Sequence, residues 1–429
     1  MWRWRVTLAF WAHLLRDLLG TFFSRWRRFY RRVVKGEAEL VVGVDIFPFF
    51  ERMTGVGWYA WNLLLELPKV DPQLRLNLYA HTFAAPDEPA PPPLPLSPRT
   101  RFRFHHIPAG FLLPVKPTIA FLRTVVEPLF FFLDGNDLFF APNFFPPRRH
   151  QAAIRQLVVT VHDLAFLRLP HTVQQETLDN LHSRLPETLA KAAAIIAVSQ
   201  ATAKDLQQLL GIRPHRIHVI HEGVDPLFLR EPGEVPAHIP PRYLLFVSTL
   251  EPRKNLLGLL RGFQQAVEGG YPGHLVLVGR WGWRTEEAQE ELARSPVRER
   301  ILHLDYLPRA ALTAVLRQAE ALLMPSWLEG FGLPVVEAMA CGVPVIASNT
   351  SSLPEVMGDA GLLVDPAKPE ALAQAILKLA SDPRLKIQLG EKGKQRAQLF
   401  QWQEAARATA GVFHRVAGQE TGFPDAYCV

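Results

Sequence analysis

The feature that most constrains this chain is its rhythm of short apolar runs separated by longer helical stretches. Runs such as QLVVTV (156–161) and AAIIAV (193–198) show no polar alternation. Such runs fit strands covered on both faces, and therefore a mostly parallel sheet. A first series predicts strands at Leu40–Phe47, Leu74–Tyr79, Arg101–His105, Leu138–Phe140, Leu157–Val161, Ile195–Val198 and Ile217–Ile220. Helical stretches such as Trp58–Leu67 and Val173–Ala192 lie between them. The proline-rich stretch Asp225–Pro241 then breaks the rhythm and reads as a linker. A second series follows at Tyr243–Val247, Leu275–Val278, Ile301–Leu304, Ala321–Met324, Val345–Ala347 and Leu362–Val364. Two such series predict two doubly wound α/β domains facing a central cleft. The expected boundaries are residues 37–225 for the first domain, 226–241 for the linker and 242–401 for the second domain. A helix at 402–417 and a tail at 418–429 would complete the chain. Pro86–Pro98 reads as a stiff surface loop.

A chain of 429 residues with 48 % hydrophobic and 21 % charged residues has material for two cores. Its two cysteines, Cys341 and Cys428, make no disulfide framework and suit a reducing, cytoplasmic setting. The net charge of +6 is unevenly placed. Residues 1–36 hold eight arginines and one lysine against one aspartate, so the other 393 residues carry a net −2. That distribution argues against a general nucleic-acid binder. The basic end mixes Trp, Phe and Leu with Arg25, Arg27, Arg28, Arg31 and Arg32, and His13, Arg16 and Asp17 interrupt its apolar run. It suits an amphipathic helix lying on an anionic membrane better than a span or a cleaved signal peptide, a helix docked on the protein or a true start further downstream being the alternatives.

Chemistry concentrates in four stretches. The first is MPSWLEGFGLPVVEAMACGVPVIAS, residues 324–348. Strand Ala321–Met324 runs into a loop with Gly330 and Gly332, and a helix is expected to open at Pro334 and end at Gly342. The glycines let backbone approach a ligand, and the helix start offers N–H groups to phosphate. Glu329 on the loop and Glu337 in the expected first turn can both face the crevice. Taken singly, Glu337 would only complement the helix dipole and Glu329 would be a solvated loop carboxylate. The second stretch is STLEPRKN (248–255), where Arg253 and Lys254 suit a diphosphate, one as a fork and one as a point charge. The third is VVTVHDL (158–164), which puts His162 at a strand end, with Asp163 either orienting the imidazole or capping the next turn. The fourth is TGVGWY (54–59). Gly55 and Gly57 there fit G-x-G-x-x-A, the dinucleotide fingerprint. A nicotinamide enzyme is disfavoured because the glycines begin eight residues beyond Phe47 and no acid follows the second strand, where Leu78–Tyr79–Ala80 stands.

The run E-G-F-G-L-P-x-x-E-A-M-A-C-G-x-P-V-I-A resembles the signature of retaining glycosyltransferases of family 4, whose fold is the GT-B pair of Rossmann-like domains. AVSQATAK (197–204), EGVDP (222–226) and the stretch Trp402–Val416 resemble further family segments, the last being a helix that crosses back onto the first domain. The resemblance spans roughly residues 40–417. It implies that Glu329 contacts the donor sugar and Glu337 the ribose hydroxyls. The backbone of Gly330, Phe331, Gly332 and Leu333 would lie near sugar and diphosphate. Lys254 falls on the family's diphosphate lysine, and Arg253 stands to supply the guanidinium where Ser248–Thr249 replaces a common Gly-Arg. His162 and Asp163 match the family's catalytic His-Asp pair. The Gly55–Gly57 loop matches G-x-G-R-Y with Trp58 in place of arginine.

The expected activity is transfer of a hexose, with retention, from a nucleotide diphosphate sugar to a glycan or lipid-linked hydroxyl in cell-surface polysaccharide synthesis. GDP-mannose is the first choice of donor and a UDP-sugar the alternative. No Asp-x-Asp occurs, so neither a metal nor any other cofactor is expected; the basic groups would neutralise the leaving diphosphate. A sugar-nucleotide epimerase and a non-catalytic sugar-nucleotide scaffold are the competing readings. The enzyme is expected in the cytoplasm, peripheral on the inner face of the membrane if residues 1–36 bind lipid.

Overall fold

The computed structural model describes residues 39–49, 53–79, 100–103, 131–132, 134–147, 151–230, 236, 238–419, 423 and 427–428. The basic segment 1–36, the proline-rich loop 86–98 and part of the expected linker lie outside the described residues.

The first sheet holds β1 (Leu40–Asp45), β2 (Leu74–Tyr79), β3 (Thr100–Arg103), β4 (Leu138–Ala141), β5 (Leu157–Val161), β6 (Ala194–Ala197) and β7 (Ile217–Val219). They lie in the order β7-β6-β5-β4-β1-β2-β3, and all these pairs are parallel. The second sheet holds β8 (Tyr243–Val247), β9 (His274–Val278), β10 (Ile301–Leu304), β11 (Ala321–Met324), β12 (Val345–Ser348) and β13 (Gly361–Val364), ordered β10-β9-β8-β11-β12-β13 and again parallel. The unbroken apolar runs are the fully buried strands: every residue of β5, β6 and β11 is buried. Expected strand ends move by one or two residues. The first strand stops at Asp45, whose side chain accepts from Phe47 N, and Phe47–Phe49 turns into a 3₁₀ helix. The last residues are more than a tail, because β14 (Tyr427–Cys428) pairs antiparallel with β7.

The connecting helices are α1 (Gly55–Val70), α2 (Ala165–Arg168), α3 (Gln175–Lys191) and α4 (Gln200–Leu210) in the first half. The second half has α5 (Leu256–Glu268), α6 (Glu286–Arg294), α7 (Arg309–Gln318), α8 (Leu333–Ala340), α9 (Leu353–Met357), α10 (Pro369–Ser381), α11 (Pro383–Ala397) and α12 (Trp402–Val416). Strand order reverses between β1 and β4 in one sheet and between β8 and β11 in the other. In such sheets the crevice beyond the strand ends at the reversal is where ligands bind.

Helix α12 leaves the second half and packs on α1 of the first. Its Phe413 ring lies 5.2 Å from Phe140, and Trp402 lies 5.8 Å from Tyr59. His414 Nε2 meets the Asp71 carboxylate at 2.7 Å, which charges the ring more readily than usual. One buried apolar cluster therefore runs through both halves.

Candidate active site

Lys254 and Glu329 flank the reversal point of the second sheet, one after β8 and the other after β11. The chain after β8 makes a 3₁₀ turn, Pro252–Lys254, and ends it at Asn255 in the left-handed conformation with φ 58°. Asn255 Oδ1 accepts from Gly258 N, while its Nδ2 donates to Pro325 O at 3.0 Å and Pro366 O at 2.8 Å. One side chain thus caps α5 and pins the loop to those after β11 and β13. This places Lys254 Nζ 2.7 Å and 2.8 Å from the two Glu329 oxygens. Ser326 also donates to Glu329, at 2.7 Å. Arg253 donates to Leu328 O at 2.9 Å, pairs with Glu251 at 2.7 Å, and lies 3.4 Å from Glu329 and 3.8 Å from Asp163.

The electrostatics follow from these pairs. Burial alone would push the Glu329 carboxyl up, but Lys254 and Arg253 hold it below the ordinary range. Burial likewise opposes charge on Arg253, and Asp163, Glu329 and Glu251 outweigh it. The basic pair is therefore not a solvated helix start. It is half of a compact cluster of opposite charges at the sheet's crevice.

Gly332 precedes α8 with φ 102°, a conformation that favours glycine. A side chain at Gly330 would meet the carbonyl oxygen of His162 at 2.0 Å, so only glycine lets the two halves touch there. Ser352 Oγ donates to the carbonyls of Glu329 and Phe331 at 3.0 Å each, and Ser351 Oγ accepts from Glu329 N at 2.9 Å. The Phe331 ring points away, packing 5.5 Å from Phe400, so this residue offers the cleft only its backbone. Leu333 opens α8 one residue earlier than the expected start at Pro334. That shift moves Glu337 out of the first helical turn, and dipole complementation no longer explains it.

What Glu337 meets instead is Arg309, at 3.0 Å. Arg309 also pairs with Asp225 at 2.7 Å and lies between two rings, 4.4 Å from Trp58 and 4.7 Å from Phe228. It joins the glycine loop of the first half to the helix carrying Glu337. Burial pushes the Glu337 carboxyl up to about 7, with Arg309 pulling the other way. Gly55 and Gly57 form the start of α1, and among the described residues a β-carbon at Gly55 would meet no atom from outside its own turn within 4 Å.

His162 follows β5 and is buried, its ring held edge-on by Tyr59 at 4.9 Å. Its Nε2 lies 2.8 Å from Pro142 O and its Nδ1 3.5 Å from Glu222. Asp163 does not orient the ring. Its Oδ1 accepts from Ala165 N at 3.0 Å, the capping alternative. Beside Asp163 and Glu329 the cleft opens into a cavity of about 420 Å³ that Trp327, Lys204 and Gln208 help line. Sequence reasoning missed Arg309 and Glu222 as parts of this cleft. EGVDP (222–226) carried a signal for Glu222 but gave it no partner. Among the described residues, no group of three His, Cys, Asp or Glu is arranged to hold a metal ion, and no helix is long and apolar enough to cross a membrane.

Two Rossmann-like sheets with facing crevices, one of them lined by paired cations and carboxylates, define the GT-B class of glycosyltransferases. Comparison with known proteins agrees. The profile described as glycosyl transferases group 1 matches residues 234–396, and that of glycosyltransferase family 4 matches residues 53–227. O-antigen chain mannosyltransferase B of Escherichia coli is 31 % identical over 286 residues, 64 % of this chain and 74 % of that one. Sucrose-phosphate synthase from Thermosynechococcus elongatus superposes with a TM-score of 0.66 at 22 % identity, over 88 % of this chain and 99 % of that one. Anabaena HepE in complex with UDP and glucose does so with 0.65 at 18 %, over 88 % and 100 %. The chain belongs to family 4 of the glycosyltransferases and is a transferase with the GT-B fold.

Proposed function

We propose that the enzyme transfers mannose from GDP-mannose, with retention of configuration, to a hydroxyl of a growing or lipid-linked glycan during synthesis of a cell-surface polysaccharide. The observation that carries this is the Lys254–Glu329–Arg253 cluster at the β8/β11 reversal, with Glu337 paired to Arg309 on the helix that follows β11. Lys254 and Arg253 would take the leaving diphosphate, Glu329 the sugar hydroxyls and Glu337 the ribose. The backbone of Gly330, Phe331, Gly332 and Leu333 would run beside the sugar. The Gly55–Gly57 loop, from the opposite half, would border the diphosphate. Fixed positive groups aimed where charge develops can supply most of the barrier reduction in such a transfer, and they need no divalent ion. The acceptor hydroxyl would enter from the cavity beside Asp163 and give its proton to the departing phosphate on the same face.

Mannose is favoured by the likeness to an O-antigen chain mannosyltransferase, and a UDP-sugar remains the second reading because HepE is seen with UDP and glucose. Incubation with each donor, with and without chelator, and with a lipid-linked glycan acceptor tests the reading. We expect a product of retained anomeric configuration whose yield the chelator does not change. An inverted anomer contradicts retention. Interconversion of the donor sugar without acceptor would make the protein an epimerase. Residues 1–36 would hold the enzyme on the inner membrane face. Flotation with anionic liposomes should recover the full chain but not a chain starting at Gly36, and equal behaviour of the two refutes this placement.

A further inference from the structure

The protons around His162 can be counted, and the count requires Glu222. A carbonyl oxygen only accepts, so the 2.8 Å contact with Pro142 O puts a hydrogen on Nε2. In the neutral ring Nδ1 is then a bare lone pair, and it faces Glu222 Oε1 at 3.5 Å. A lone pair against a carboxylate oxygen is two acceptors with nothing between them. A proton on either partner removes that repulsion, on Glu222 beside a neutral imidazole or on Nδ1 beside a carboxylate. The ring cannot escape by turning, because Tyr59 lies edge-on to it at 4.9 Å and 88°, and Phe144 lies at 6.2 Å. Both residues are buried, 8 % and 5 % exposed. Among the described residues no lysine or arginine pairs with Glu222, so His162 is its ion-pair partner.

The pair also sits at a telling place. Glycine at 330 brings the loop carrying Glu329 against the carbonyl of His162 itself. The other titratable groups that Glu222 senses are His221 next to it in the chain, Glu329 on that loop, Glu337 on α8 and Tyr59 on α1. Two of these are carboxyls. A fully ionised Glu222 without its proton would add negative charge at the floor of a cleft meant to receive a diphosphate.

We propose that Glu222 is a positioning residue of the transfer reaction: it shares one proton with His162, which fixes the imidazole and keeps the cleft floor free of a surplus negative charge. This rests on the reading that His162 borders the donor sugar. Burial pushes the Glu222 carboxyl up, which favours retention of the proton above the usual carboxylate range. The contribution is thus present at low pH and is lost as pH rises through the titration of the Glu222 carboxyl. Glutamine in place of Glu222 donates an amide hydrogen to Nδ1 at every pH and cannot titrate.

The test compares pH profiles of kcat for the full chain, Glu222→Gln, Glu222→Ala and His162→Ala, with imidazole ¹⁵N NMR of the first two. We expect kcat to fall with rising pH in wild type and not in Glu222→Gln, whatever its absolute rate. Glu222→Ala should lose roughly 10-fold or more, the range for residues that orient a functional ligand. The Nδ1 resonance of His162 should differ between wild type and Glu222→Gln. The same fall with rising pH in Glu222→Gln, or an Nδ1 resonance indifferent to residue 222, overturns the proposal even if Glu222→Ala fails to fold. A normal kcat in His162→Ala with a shared proton still visible by NMR overturns instead the role of His162 in transfer.

Discussion

Glu337 carries a pH signature that Glu329, held below the ordinary carboxylate range, lacks. Its pKa of about 7 reflects burial opposed by Arg309. Ribose hydroxyls donate, and a carboxylate accepts from them better than a neutral acid does. Nucleotide affinity should therefore be full above about pH 7 and fall as pH drops through it, while Glu337→Gln binds weakly at all pH. Calorimetric titrations between pH 5.5 and 8.5 check this, and an equal slope in both proteins would contradict it. Lys254 makes a stability prediction as well. Lys254→Met leaves the buried Glu329 with Ser326 and the more distant Arg253, so the loss should approach, without reaching, the roughly 3–5 kcal/mol of a fully stranded buried charge. A loss below about 1 kcal/mol in denaturant unfolding, the scale of an exposed pair, would show that the cluster is not dry. At this scale the contiguous motifs were legible in part: Lys254 and Glu329 lie on the loops their local sequence marked, while Glu337 lies beyond the first turn expected for it. Arg309 and Glu222 were not, because their meaning lies in partners such as Trp58, Asp225 and His162 that folding alone brings near. Asp163 shows the same limit from the other side, since sequence left it two roles and geometry chose the cap.

The elements that matter are the loops leaving β5, β8 and β11. Their strands were readable because burial on both faces removes alternation and leaves plain apolar runs. The start of α8 was less so. Pro334 is a good first helical residue, yet the left-handed Gly332 lets the helix begin at Leu333 and moves Glu337 along the axis. Gly330 is the sharpest element-level test. In Gly330→Ala the added methyl would lie 2.0 Å from His162 O, a backbone atom that cannot step aside. We expect the halves to part there, with a larger radius of gyration by solution scattering and transfer reduced by at least about 100-fold, as a misplacement of about 1 Å can cost. Wild-type scattering together with normal kcat would contradict the close contact.

Over the whole molecule, sequence disclosed two α/β halves and a final helix, and the sheets bear out both strand series. What it did not disclose is how the halves are joined. Arg309 lies between Trp58 and Phe228, and Glu355 of α9 accepts from Gln200 N and Ala201 N at the start of α4. The edge strand β14 was equally hidden, since two residues carry no periodicity. The Phe413 ring, fully buried against the first half, makes Phe413→Ala a test of that joint, with an expected loss of about 3–5 kcal/mol in denaturant unfolding. The central claim is that the crevice between the halves holds a nucleotide sugar, with Glu337 on the ribose. Isothermal titration of the full chain with GDP-mannose, GDP, UDP-glucose and UDP tests it most directly, repeated on Glu337→Ala without added metal. The account predicts saturable binding of the GDP pair to wild type and its loss in the variant. Binding of neither series, or binding that Glu337→Ala leaves unchanged, would contradict it.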